Sequence, residues 1–503
     1  MPRMPTFNRR VLLFGVARSA RFLAARKVLQ TAPLLGLTAL SRAAGQANEP
    51  VASPPEIRSR DGILEATLTA ACAPVRLGDH EFPGMLYNGS YVPATLRARL
   101  GDTLWITLRN NLDDRSQPDQ SGFVGPICTG TGSGTPSNVH YHGMSVSPRG
   151  NSDNVFVHVH PGESFRYEVR IPAAGRQGPG LYWYHPHAHG YVDPQILGGM
   201  SGALVVDGYE ELYPALRGMP ERFLLIKHAQ IGGGEVVSIN GQINPSIAMR
   251  PGEMQFWRIA HIGASLFIKF SIEGMPLYVI GTDGHPLSQP RKISEFLIGP
   301  GERIEAIAVG PPPGEYAMRT ISFQNEAWRP PEAARDLALI VSSGAAAPSN
   351  AESEILRQGL EGTRWIDEVR AATIAHRRTL VYSRTADRQV FMIDSRTVDE
   401  DRIDQTVNLG DTEEWTAINT DQQYHSFHIH QTPFLVTEIN GAPANDDSLR
   451  DTASVPPSIG ERHGTLKALI PFTDPVIVGR FVYHCHSVNH EDKGMMGVIE
   501  VVA

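Results

Sequence analysis

The chain has 503 residues, of which 41% are hydrophobic and 19% charged, with 48 Gly and 38 Pro. That length is a prior for about three domains, and abundant Gly and Pro with few charges favour loop-rich β domains over long solvated helices. A formal net charge of −8 offers no basic surface for nucleic acid or an anionic membrane.

Residues 1–47 contain seven Arg and one Lys but no Asp or Glu. Within them, Asn8-Arg9-Arg10-Val11-Leu12-Leu13 resembles a twin-arginine export signal. Arg18, Arg21, Arg26 and Lys27 interrupt the apolar part, and the uncharged run over residues 28–41 is shorter than a membrane span. The expectation is a periplasmic or secreted protein, exported folded, with no stable membrane insertion. Without this segment the chain would hold 37 basic against 53 acidic residues. Of three cysteines, Cys72 and Cys128 are open to two readings, one disulfide or two separate buried thiols.

A weak repeat then sets the organisation. Asn88-Gly89 precedes Gly101-Asp102 and Trp105, Asn240-Gly241 precedes Gly252-Glu253 and Trp257, and Ile393-Asp394 precedes Gly410-Asp411 and Trp415. Each is a turn signal followed by an acidic turn into an alternating strand. From Asn88 to Asn240 is 152 residues and from Asn240 to Asp394 is 154, so one domain is expected three times. The boundaries expected are 56–210, 220–345 and 377–503, with 346–376 a linker whose best helical stretch is 351–376. Strands such as Leu204-Val205-Val206 and Val498-Ile499-Glu500-Val501 close the first and third copies. The fold class expected is all-β, three antiparallel β-sandwiches.

Histidines concentrate in four motifs: His140-Tyr141-His142-Gly143, His185-Pro186-His187, His425-Ser426-Phe427-His428-Ile429-His430, and Tyr483-His484-Cys485-His486 followed by His490 and Met495. In a strand, residues two apart share a face and neighbours do not. Cys485 thus faces away from His484 and His486, and His425 away from His428 and His430. Sorting by face gives one site of His425, Cys485, His490 and Met495. It leaves eight imidazoles, His140, His142, His185, His187, His428, His430, His484 and His486, for a second site. A thiolate with imidazoles and a thioether is the ligand set of blue copper, and it selects copper where imidazole alone would also suit zinc or iron. Two motifs lie in the first copy and two in the third, so the eight imidazoles can meet only where those domains pack. The other histidines, including His158, His160, His189 and His285, read as surface or supporting groups.

The four motifs in this order resemble those of the multicopper oxidases, the family of laccases, bilirubin oxidases and cuprous oxidases, over roughly residues 56–503. The resemblance implies three cupredoxin-like Greek-key domains and four copper ions: one type 1, one type 2 and two type 3. It gives His140 and His428 to type 2, and His142, His185 and His486 to one type 3 ion. His187, His430 and His484 go to the other, and His425, Cys485, His490 and axial Met495 to type 1. It implies one-electron oxidation of phenols or aromatic amines coupled to four-electron reduction of dioxygen to water, with a small reductant and dioxygen as partners; the sequence leaves the oligomeric state open, a monomer being one reading. Glu491 resembles the family's proton-relay Glu, and Asp153 the Asp beyond the first motif. Two other functions stay open, a cuprous-ion oxidase and a non-enzymatic structural relative. No Met-rich insert supports the former, and the complete ligand set argues against the latter. Tyr141 where Trp is usual, and Ser426 where Pro is frequent, depart from the pattern without removing a ligand.

Overall fold

The structure is a computed structural model that describes residues 48–112, 135–347, 355 and 364–503. The export-like segment, Cys128 and about half of the expected linker fall outside those residues. Cys72 is disulfide-bonded.

Six sheets pair into three sandwiches. The first combines a four-stranded sheet built on Ile63–Leu77 and Thr103–Asn111 with a five-stranded sheet that includes His140–His142 and Gly180–His185. The second, over strands from Glu221–Ile231 to Asp336–Ser342, has six- and five-stranded sheets. The third also has six and five, the latter in the order Gln405–Asn408, Met496–Val502, Gly479–Cys485, His425–Ile429, Thr452–Val455. Alternation drives the strands: Thr103–Asn111 shows buried Leu104, Ile106, Leu108 and Asn110 between more exposed neighbours. Within the linker region Arg364–Ala371 is helical.

The repeated turns are physically the same object. Asn88, Asn240 and Asp394 each have φ of 52°, in the left-handed region that Asn and Asp tolerate best after Gly. Each side-chain Oδ1 accepts a backbone N–H at 2.8 Å, from Thr69, Leu225 and Val381 respectively. The Trp indoles of the second and third copies are satisfied two residues back, Trp257 donating to Gln255 at 3.1 Å and Trp415 to Glu413 at 2.8 Å.

Each sandwich has its own apolar core. A further cluster joins the first two, with Phe82, Leu181, Trp183 and Val205 against Phe223, Leu225 and Ile262, and takes in Val488 from the third. Burial of this surface is the main force that presents the faces of the sandwiches to one another.

Candidate metal centre

Strand Gly479–Cys485 runs beside His425–Ile429 with Phe427 opposite Cys485 and His428 opposite His484. That register puts the two sites on opposite faces of one sheet. On the first face, Cys485 Sγ lies 3.4 Å from His425 Nδ1 and 3.6 Å from His490 Nδ1. The Ser426 backbone N–H donates to the sulfur at 3.4 Å. His490 is on a helical turn, Val488–Asp492, not on the strand. Phe391 stacks on its ring at 4.1 Å. Met495 is fully buried in the same core, and its carbonyl accepts the Cys485 N–H at 3.1 Å. Burial pushes the Cys485 thiol up to about 12, so the thiolate form needs a cation beside it.

On the second face, eight buried imidazoles converge from the first and third sandwiches. Candidate ligand atoms come within reach of one another in the groups His140, His142, His428; His142, His185, His486; and His187, His430, His484. His484 Nε2 lies 3.2 Å from both His187 Nε2 and His430 Nε2, and His486 Nε2 lies 3.1 Å from His142 Nδ1. Burial, then neighbouring imidazoles, hold His142, His185, His428, His430 and His486 well below the usual histidine range. Neutral imidazoles are what metal ligation requires. The inward Nε2 atoms of His140, His185 and His428 find no hydrogen-bond partner among the described residues, a costly state for buried nitrogen unless a cation supplies the contact.

Several outward nitrogens, those of His140, His142, His428 and His484 among them, are held by the protein, which fixes their tautomers. His140 Nδ1 lies 3.1 Å from both carboxylate oxygens of Asp153, which also accept from Tyr141 N–H at 3.1 Å and Gln431 at 2.9 Å. Glu491, fully buried, places its oxygens 3.1 Å from His484 Nδ1 and 3.4 Å from His187 Nε2. Burial raises its carboxyl, but the His484 and His187 imidazoles outweigh that and bring it down to about 2.

Comparison with known proteins gives the same reading on independent grounds. Family models described as multicopper oxidase match residues 133–211, 181–345 and 373–503. The chain belongs to the multicopper oxidase family. Curated relatives include a Staphylococcus haemolyticus multicopper oxidase, 23% identical over 88% of this chain and 90% of its own. A Bacillus stratosphericus laccase is 24% identical over 54% of this chain and 55% of its own. Among solved structures, a Campylobacter jejuni multicopper oxidase described as a metallo-oxidase superposes with a TM-score of 0.73 at 23% identity, covering 91% of this chain and 96% of its own. An Aquifex aeolicus multicopper oxidase gives 0.72 at 21% identity, covering 91% and 100%. The sandwiches are therefore cupredoxin-like. Family membership implies copper, and the imidazole and thiolate groups fit copper sites.

The second copy carries no histidine motif, yet one of its residues reaches the carboxylate that holds two of the cluster's imidazoles. Asp451 Oδ1 lies 2.9 Å from His142 Nε2, and its carbonyl oxygen 2.8 Å from His428 Nδ1. Arg303 of the second sandwich, fully buried, grips both Asp451 carboxylate oxygens at 2.7 Å. Asp283 accepts the Arg303 N–H at 2.8 Å and lies 3.4 Å from the guanidinium. A lone Asp and a lone Arg, 148 positions apart, carry no motif. The one usable signal is Gly143, whose φ of 84° sits where an added Cβ would meet Arg303 and Asp451. Among the colder histidines, His158 lies 3.7 Å from Glu400, and His285 Nδ1 3.0 Å from the Asp283 carbonyl. A cavity of about 790 Å³ lined by Arg176, Trp365 and Asp474 stands apart, with none of the ligand candidates in its wall.

Proposed function

We propose that this protein is a laccase-like oxidase of phenols or aromatic amines, with His425, Cys485, His490 and axial Met495 holding type 1 copper. The type 2 ion falls to His140 and His428, and the type 3 pair to His142, His185, His486 and His187, His430, His484. When bound, these four ions supply one-electron acceptance from the donor and four-electron reduction of dioxygen to water. The observation that carries the reading is the strand end His484-Cys485-His486, one residue of which faces the thiolate site while its two neighbours face the imidazole cluster.

The protein's own groups supply position and protons. Dioxygen reduction to water takes up four protons, and Glu491, buried between His187 and His484, is the carboxylate placed to pass them inward. Asp153 keeps the proton of His140 on Nδ1, so that Nε2 points inward. It is the second carboxylate assigned to proton delivery. Asp451, clamped by Arg303, does the same orienting work for His142 and His428.

Cuprous ion as donor is the competing reading, since one structural relative is described as a metallo-oxidase. Soft cuprous ion favours thioether or thiolate ligands. Beside His490 the side chains are instead Gln423 and Asp421, and Asp421 is already paired with Arg384 at 2.5 Å. The deciding experiment is aerobic turnover of the copper-loaded protein on a phenol, an aromatic amine and cuprous ion, with oxygen uptake and bound copper measured. Preference for cuprous ion would replace the phenol reading. Glu491→Gln should slow reoxidation by oxygen by on the order of 10²-fold while leaving anaerobic reduction by the donor unchanged. Equal slowing of both would remove its relay role.

For residues 1–47 we propose export by the twin-arginine route. Replacing Arg9 and Arg10 by Lys should retain the protein in the cytoplasm on fractionation. Among the described residues no helix is long and apolar enough to cross a membrane.

A further inference from the structure

A loop of the second sandwich, residues 323–332, lies along residues 422–424 of the third. Ala327 N–H donates to the Gln422 carbonyl at 2.9 Å, and Tyr424 N–H to that of Asn325 at 3.2 Å. This places Trp328 against the end of strand Ile374–Arg384 and the turn beyond it. The Arg384 guanidinium sits 4.6 Å and that of Arg388 3.7 Å from the indole centroid. Arg384 also pairs with Asp421 at 2.5 Å, Gln423 donates to Asp421 at 2.8 Å, and Gln423 Nε2 is 3.3 Å from His490 Nε2. Contacts thus run without a break from the indole to His490, the partly exposed imidazole of the thiolate site, whereas His425 is wholly buried.

The charges here do not cancel in space. Glu326 is engaged by Arg329 at 3.0 Å and Asp421 by Arg384. Asp387 is turned into its own loop, accepting from the Thr385 hydroxyl at 2.5 Å and Gln389 N–H at 3.2 Å. Arg388 is exposed, so its charge faces solvent, and Lys493 adds a second cation that acts on His490. On a chain of net charge −8, Arg329, Arg384, Arg388 and Lys493 outnumber Glu326, Asp387 and Asp421 here, a local surplus of positive charge at an edge where a donor can approach His490. A guanidinium stacked on an indole is planar and weakly hydrated, and its N–H fork matches a carboxylate or sulfonate.

We propose that Trp328, Arg384 and Arg388 form the docking rim for the electron donor, and that the rim selects aromatic molecules bearing a carboxylate or sulfonate over cationic ones. The proposal rests on the aromatic-donor reading above and names its charge class. The ring stacks on the Trp328–guanidinium surface and the anionic group meets Arg388. Each phenolic donor loses one electron to the thiolate site and its hydroxyl proton to solvent, because Asp421 is occupied by Arg384. Four such electrons and four protons convert one dioxygen to two waters. The same arrangement withholds Asp421 from metal cations.

The test uses two methoxyphenols of matched size, one carrying a carboxylate and one an ammonium group, with the copper-loaded protein. The wild type should favour the anion at least tenfold in kcat/KM, through KM, and the preference should shrink as salt is raised. Arg388→Glu should reverse the preference without changing kcat, and Trp328→Ala should raise KM for both donors. An unchanged ratio in Arg388→Glu would overturn the proposal. A second measurement needs no turnover: benzenesulfonate should raise the Tm of the wild type and not of Arg388→Glu. A shift equal in both proteins overturns the rim. A selective shift with no oxidation of any phenol supports the rim as an anion site and refutes the aromatic-donor reading instead.

Discussion

The thiolate site and the imidazole cluster sit on opposite faces of the same sheet but are assembled differently. His425, Cys485, His490 and Met495 all belong to one sandwich, within 71 positions of sequence, and a single β-register with the helical turn after it brings them together. The eight imidazoles come from two sandwiches, and the orientation of His142 and His428 depends on the remaining sandwich through Arg303 and Asp451. One site is a property of a domain, and the other a property of domain docking. Metal loading of the cluster should therefore be linked to interdomain stability, while loading of the thiolate site should not.

Cys485→Ser separates the two most sharply. It should abolish the visible thiolate absorption, remove one copper and bring donor oxidation to background, while the cluster keeps its metal. Copper stoichiometry with the absorption spectrum checks this, and loss of all copper would show the two sites to be one cooperative unit.

Arg303→Met attacks the other side of the contrast. Removing one partner of a buried ion pair costs about 3–5 kcal/mol, so Tm should fall and cluster copper drop while the thiolate absorption persists. The double variant Arg303→Met, Asp451→Leu should regain stability but not cluster copper, because His142 Nε2 stays without its carboxylate. Full recovery of both would reduce Arg303 and Asp451 to packing.

A smaller effect is expected from Ser426→Pro. Proline has no N–H, so Cys485 Sγ would lose the donor at 3.4 Å. That bond draws electron density from the thiolate and favours the reduced metal. Its loss should lower the potential of the thiolate site by roughly 60 mV, one tenfold step in a one-electron equilibrium, with the cluster unaffected. A redox titration followed in the visible band reads it directly.

The smallest change concerns a surface contact between the first and third sandwiches. The Glu400 carboxylate raises His158 above the usual histidine range. A raised folded-state value means the stabilisation is fully present below about pH 6.5, the unfolded value, and is lost as pH rises through the folded one. His158 and Glu400 are 34% and 32% exposed, so screening limits the gain to a few tenths of a kcal/mol. The Tm difference between wild type and His158→Gln should be positive at pH 5.5 and vanish by pH 8.5; a constant difference would exclude the pair.

Legibility in the sequence follows the same division. Face alternation separates His425 from His428, and Cys485 from its neighbours, because the rule acts within a few residues of one strand. The Asn88, Asn240 and Asp394 turns are visible because the left-handed backbone restricts which residues fit. Sorting by face grouped His490 with Cys485 although the chain turns into a helix at Val488 and strand parity stops there, and only resemblance to the family points to Glu491. Asp421 and Trp328 leave no trace at all, and Arg303 and Asp451 leave only the glycine at 143. Their roles arise from contacts between domains, where an ordinary Asp or Arg acquires meaning from what docks against it.

The turn Val488–Asp492 gathers more than its five residues suggest. Val488 enters the apolar seam between the first two sandwiches, and its N–H reaches the Ala264 carbonyl at 3.2 Å. His490 serves the thiolate site and Glu491 the cluster. Asp492 accepts the N–H groups of Gly190 and Asp193 at 2.8 Å, across to the first sandwich. A single local opening of this segment would expose both metal sites and unlatch all three domains in one event. Its amides should accordingly exchange with solvent hydrogen no faster than the slowest core strands, and the first proteolytic nick that inactivates the protein should fall elsewhere.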